Sequence, residues 1–119
     1  MQPYGNRFRP IPRLEPLRNP ILIWARLDGN GPETPLLCDR AGDDTLTFPA
    51  PRRIDNDSRV MLRVMSGRQV VVLIGRVLEE PVPVPIGTGF RVTLGLQESS
   101  FDNLKAWRRV VDLHRLRAA

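Results

Sequence analysis

Residues 60–80, VMLRVMSGRQVVVLIGRVLEE, decide the fold. They hold two apolar runs, Val60–Met65 and Val70–Leu78, joined by Ser66-Gly67-Arg68-Gln69. In the first run Val60, Leu62 and Val64 share one face, and Met61, Arg63 and Met65 the other. That is the period-2 alternation of a strand with one wetter face. The second run is almost unbroken Val, Leu and Ile and predicts a central strand buried on both sides. A short Gly-containing link between two such runs predicts a β-hairpin. Gly75, inside the second run, predicts a bulge or bend of the kind that lets a sheet curl. The hairpin is thus expected at the centre of a small, curled, mostly antiparallel β domain.

The bulk properties bound what surrounds it. A chain of 119 residues is the size of one domain. It can bury roughly two-thirds of its unfolded surface without staples. The single cysteine, Cys38, excludes an internal disulfide and a multi-cysteine zinc site. One histidine, His114, argues against a metal centre. No apolar run approaches the roughly 18 residues of a membrane span. The opening MQPYGNRFRP has no apolar core and does not read as a signal peptide. A reducing cytoplasm is the expected compartment. The formal net charge is +5, and all but one of the basic residues are arginine. Arginine presents a planar fork to phosphate, carboxylate or guanine edges and stacks on flat rings. An anionic partner is one reading of this charge, and plain solvated faces are the other.

Residues 1–20 carry Pro3, Pro10, Pro12, Pro16 and Pro20 among Arg7, Arg9, Arg13 and Arg18. Proline at this density forbids helix, so a basic, extended N-terminal arm is expected there. The domain proper is expected over 21–119. Ile21–Asp28 reads as the first strand and ends at the turn Gly29-Asn30-Gly31-Pro32. Leu36–Asp39 and Thr45–Phe48 read as two short strands about the turn Ala41-Gly42-Asp43-Asp44. Pro81–Gly89 is a proline-stiffened connection, and Phe90–Leu96 alternates as the last strand. From Ser99 the period changes to that of an amphipathic helix, expected over 99–117. Phe101, Leu104, Trp107, Val110, Val111 and His114 fall on its apolar side, with a serine N-cap and Asp102 in the first turn. Trp107 is the expected plug of the core.

Catalytic motifs are not found. There is no phosphate-cradling glycine loop, since Gly87-Thr88-Gly89 is short and precedes a strand. His114 has apolar helical neighbours and reads as a core-edge residue. Cys38 lies in an apolar run and reads as a small core residue and not a reactive thiol. The pairs Asp43-Asp44 and Glu79-Glu80 read as solvated. An enzyme is not expected.

The order of elements resembles the PilZ family of bacterial regulatory domains over about residues 13–115. The matching pieces are Ile21–Leu27 as the first strand, Asp39-Arg40-Ala41-Gly42 near the family's signature turn, Gly75-Arg76-Val77, and Thr88-Gly89-Phe90-Arg91-Val92 as the last strand. The resemblance implies a six-stranded antiparallel β-barrel with a trailing helix, and many such domains are receptors for cyclic di-GMP. Ligand-binding members carry Arg-x-x-x-Arg before the first strand and Asp/Asn-x-Ser-x-x-Gly after the second. Here Arg9-Pro10-Ile11-Pro12-Arg13 has the first spacing but lies early, and Arg13 and Arg18 are one residue too far apart. In the second motif Asp39 matches and is followed by Arg40, but Ala41 replaces Ser and Asp44 replaces Gly. The resemblance therefore implies a degenerate member without a bound cofactor. Such a member acts through a protein partner in motility, pilus or polarity control. A variant cyclic di-GMP site built from Arg9, Arg13, Arg18, Asp39 and Arg40 is the second reading. A small basic barrel that binds nucleic acid is the third, supported by charge but not by any interleaving of aromatic and basic residues on the strands.

Overall fold

The structure, a computed structural model, describes residues 14–27, 29 and 31–115. Seven strands precede one helix: β1 (Glu15–Arg26), β2 (Glu33–Ala41), β3 (Thr45–Ala50), β4 (Arg59–Ser66), β5 (Gln69–Val77), β6 (Val82–Pro83), β7 (Phe90–Gly95) and α1 (Phe101–His114). Neighbours run in the order β3-β2-β1-β4-β5-β7, and β3 also pairs with β7. Six antiparallel strands therefore close into a barrel, and β6 adds a two-residue strand on β7. The expected β-barrel with a C-terminal helix is the architecture observed, with this one extra strand.

The 60–80 stretch forms the expected hairpin. Its register is unbroken from Arg59↔Arg76 to Ser66↔Gln69. Gly67 opens the two-residue turn at φ 62°, a conformation that glycine adopts without steric penalty. Val60, Leu62 and Val64 of β4 and Val71, Leu73 and Val77 of β5 are buried. They join Ile21, Ile23, Leu46, Phe48, Val92 and Leu94 in one core.

Two expectations about the hairpin are corrected. Gly75 makes no bulge, because the β4–β5 ladder runs straight through it. It is small because β7 comes close: a Cβ there would lie 2.8 Å from Leu94 Cδ1. Nor is β5 buried on both sides. Val70 and Val72 are 48% and 40% exposed, since the closed barrel covers only inward residues. The strands buried on both faces are β3, at Thr45–Phe48, and β7, at Val92–Gly95.

The first strand also begins earlier than expected. Residues 15–20, assigned above to the arm, belong to β1 despite two prolines. The ladder to β2 jumps from Pro16↔Arg40 to Ile21↔Cys38, so residues 17–20 stand opposite Asp39 alone. Proline is tolerated in such a bulge, where ladder donors are not needed. Helix α1 is shorter than 99–117 and starts after the N-cap Ser100, whose hydroxyl accepts from the Asn103 amide. Ser99 performs a different task. Its hydroxyl accepts from Ile74 N at 2.8 Å and donates to Ile74 O at 3.2 Å, completing β5 beyond its pairing with β7. Trp107 is fully buried, its indole N–H donating to Gly42 O, and Val110 and Val111 are buried beside it. Phe101, expected on the apolar side, is 72% exposed, because the first turn of α1 lies beyond the core it was expected to cover.

Candidate functional site

Of the residues singled out by the sequence, Arg18, Asp39 and Arg40 fall on one region of the barrel, around the bulge of β1 and the end of β2. Arg9 and Arg13 lie outside the described residues. Arg18 is exposed within the bulge that faces Asp39, and Arg40 is exposed one residue farther along β2. Neither has an ion pair with a described residue. Asp39 is different. Both its carboxylate oxygens are held by the Arg91 guanidinium, at 2.8 and 2.9 Å. Because β3 lies between β2 and β7, this fork crosses the outer face of β3. The hydrogen bonds from Arg91 hold the Asp39 carboxyl below the ordinary aspartate value, and Arg40 adds a smaller pull the same way.

The rest of the motif turns inward or away. Ala41 is buried in the core, so its methyl group packs where a serine hydroxyl was sought. Asp44 follows in the β2–β3 turn, and its carbonyl accepts from the Leu96 amide at 2.8 Å. Its neighbour Asp43 is bound by Arg115 at 3.1 Å, and the Asp43 carbonyl accepts from Arg108. The turn is thus tied to the end of α1. Cys38, beside Asp39, is fully buried, and burial pushes its thiol pKa up to about 12. His114 is half-buried with Nδ1 at 2.8 Å from Val110 O.

One open pocket of about 180 Å³ is lined by Arg26, Gly29, Arg59 and Met61. That is small beside the roughly 300–1,000 Å³ of ordinary ligand pockets. Among the described residues no group of three or more His, Cys, Asp and Glu gathers as a metal site. No described helix is long and apolar enough to cross a membrane.

Two features escaped the sequence reading. Arg91 was visible only as a strand residue, and nothing local marks it as the partner of Asp39, 52 residues away. The other is the outer wall formed by β2, β1, β4 and β5. There Leu22, Leu37, Met61, Met65, Val70 and Val72 are each 40–53% exposed. The signal for it was the pair Met61 and Met65 on the face that the alternation assigned to water.

Comparison with family models, with curated proteins and with solved structures returns no match.

Proposed function

We propose that this chain is a non-enzymatic regulatory barrel of the PilZ kind that works through protein contact and does not hold cyclic di-GMP in the usual way. The six-stranded barrel and trailing helix agree with what the resemblance implies, and motility, pilus or polarity control in the cytoplasm is the setting it implies. The observation that carries the reading is the state of Asp39. A carboxylate that reads a guanine edge must offer its oxygens to that edge, and here each already accepts a hydrogen bond from Arg91, which also neutralises the charge. Ala41 supplies no hydroxyl, and Asp44 sets a negative charge where a dianionic ligand would sit. Missing polar partners at such a site weaken binding steeply.

A variant site draws support from one observation, the exposed guanidinium groups of Arg18 and Arg40 around the bulge. Nucleic-acid binding draws less. Of the described tryptophans, Trp107 is buried and Trp24 is half-buried with the Arg63 guanidinium 5.7 Å from its ring centre. Among the described residues that leaves no row of aromatic rings for bases to stack on.

Isothermal titration with cyclic di-GMP at moderate salt, beside an Arg13→Ala/Arg18→Ala double variant, separates the readings. The expected result is no heat of binding at high protein concentration. Micromolar binding that vanishes in the variant overturns the proposal and makes the arginines a ligand clamp.

A further inference from the structure

We infer that the outer wall of β2, β1, β4 and β5 is the interface of a symmetric homodimer. The inference deepens the protein-contact reading and rests on it only in taking this wall for a protein surface. The residues lie in register. Leu37 pairs with Leu22, and Met65 with Val70. Pro35, Trp24, Arg63 and Val72 form one row across the four strands, and Arg26, Met61 and Ile74 the next. The apolar side chains are therefore contiguous on a four-stranded wall. Half-exposed, the six largest contributors present roughly 500 Å² of surface, in the upper range of the largest patch on a monomer. Two such walls face to face remove roughly 1,000 Å² from these residues alone, the size at which specific interfaces begin.

Area points to a second copy as the occupant, and the charge in the middle of the wall permits it. The chain carries +5, which opposes self-association over most surfaces. On this wall the central cation is already cancelled within the chain: Arg63 makes a bidentate pair with Glu33 at 3.0 and 2.9 Å. The row of Pro35, Trp24, Arg63 and Val72 is thus neutral, while the exposed Arg26 stands as a cation in the next row, at the end of β1. A second copy can bring the apolar rows together while Arg26, at the end of β1, stays toward the rim. A two-fold axis through it brings the same rows together from both sides, with the sheets stacked about 10 Å apart as in aligned sheet packing. The unbroken apolar run of residues 70–74 in β5 fits this arrangement, since Val70 and Val72 then gain the cover that the barrel does not provide.

Sedimentation equilibrium of the full chain, from about 1 to 500 µM at 0.15 M salt, tests the proposal at the weak end of specific interfaces. The expected result is a mass that rises from monomer to dimer and stops there. Leu22→Lys or Val72→Glu, each on the outer surface, should weaken the dimer at least about tenfold, because each buries an unpaired charge on both sides of the axis. A second readout needs no variant: the methyl resonances of Met61 and Met65 should shift on dilution of the labelled wild-type protein. A wild-type chain that stays monomeric throughout overturns the inference, as does a dimer unaffected by both substitutions or methyl resonances that ignore concentration. None of these outcomes bears on nucleotide binding, which the titration above decides by itself.

Discussion

Replacing Arg91 with glutamine and Asp39 with asparagine, singly and together, measures the fork that closes the candidate site. The two hydrogen bonds are short and parallel, and both side chains are about two-fifths exposed. Coulomb attraction between unit charges 4 Å apart is roughly 4 kcal/mol at an effective dielectric of 20 and roughly 1 in water. Solvent screening brings measured exposed pairs to about 0.2–1 kcal/mol. Bidentate geometry places this pair at the upper end, so the coupling energy of the cycle should be about 1 kcal/mol. Urea denaturation of the four proteins at low salt reads it directly. The coupling should shrink at 1 M salt, where the screening length falls to about 3 Å. Acid should erase it as well. Arg91 depresses the Asp39 pKa in the folded state, so the stabilisation is present above the unfolded aspartate value of about 4. It is lost as the pH falls through the depressed folded value. The gap between wild type and Arg91→Gln should therefore be widest near neutrality and close below about pH 4. A coupling below about 0.2 kcal/mol at low salt, or a gap that widens in acid, refutes the claim that Arg91 occupies Asp39.

Gly89 has φ 121°, and a Cβ there would stand 2.5 Å from the Ala50 carbonyl oxygen. Gly89→Ala should thus lose about 2–5 kcal/mol, from backbone strain plus overpacking against a fixed carbonyl. Gly67→Ala, where φ is 62° and nothing lies within 4 Å, should lose only about 1–2 kcal/mol. Thermal melts of the two proteins give the comparison, and equal losses sink the close-approach argument. Cys38, fully buried with a raised pKa, should react with a disulfide reagent at least about a thousandfold more slowly in native buffer than in denaturant. Rapid native labelling refutes the buried assignment.

The barrel was legible because alternation is a strong signal where one face must be buried. Val60, Leu62 and Val64 could face only one core, and Phe90, Val92 and Leu94 repeated the pattern. The start of β1 was not legible, because Pro16 and Pro20 suppress any strand reading. Only the β2 partner reveals that they sit astride a bulge. Phe101 was assigned to the core on helical spacing, but spacing gives the face and not how far along it the core extends. Of the candidate site, Asp39 and Arg40 were legible as a motif. The fork from Arg91 was not, since it depends on closure of the barrel bringing β7 beside β3. Arg9 and Arg13 fall outside the described residues.

The reading of β5 shows where a local pattern and a closed fold part company. A run such as Val70–Leu78 signals apolar surroundings on both faces, and that inference from composition is sound. Closure of six strands into a barrel nevertheless supplies an interior to only one face of each strand. Of the seven elements packed around the core, α1 packs onto β1 and β5, with Trp107, Val110 and Val111 reaching inward. It leaves Leu22, Val70 and Val72 in water. Among the described residues, the chain thus contains one more apolar face than the fold covers. Burial of apolar area is the main driving force of both folding and association. The same residues that misled the strand assignment are therefore the strongest reason to look for the missing cover in a second molecule.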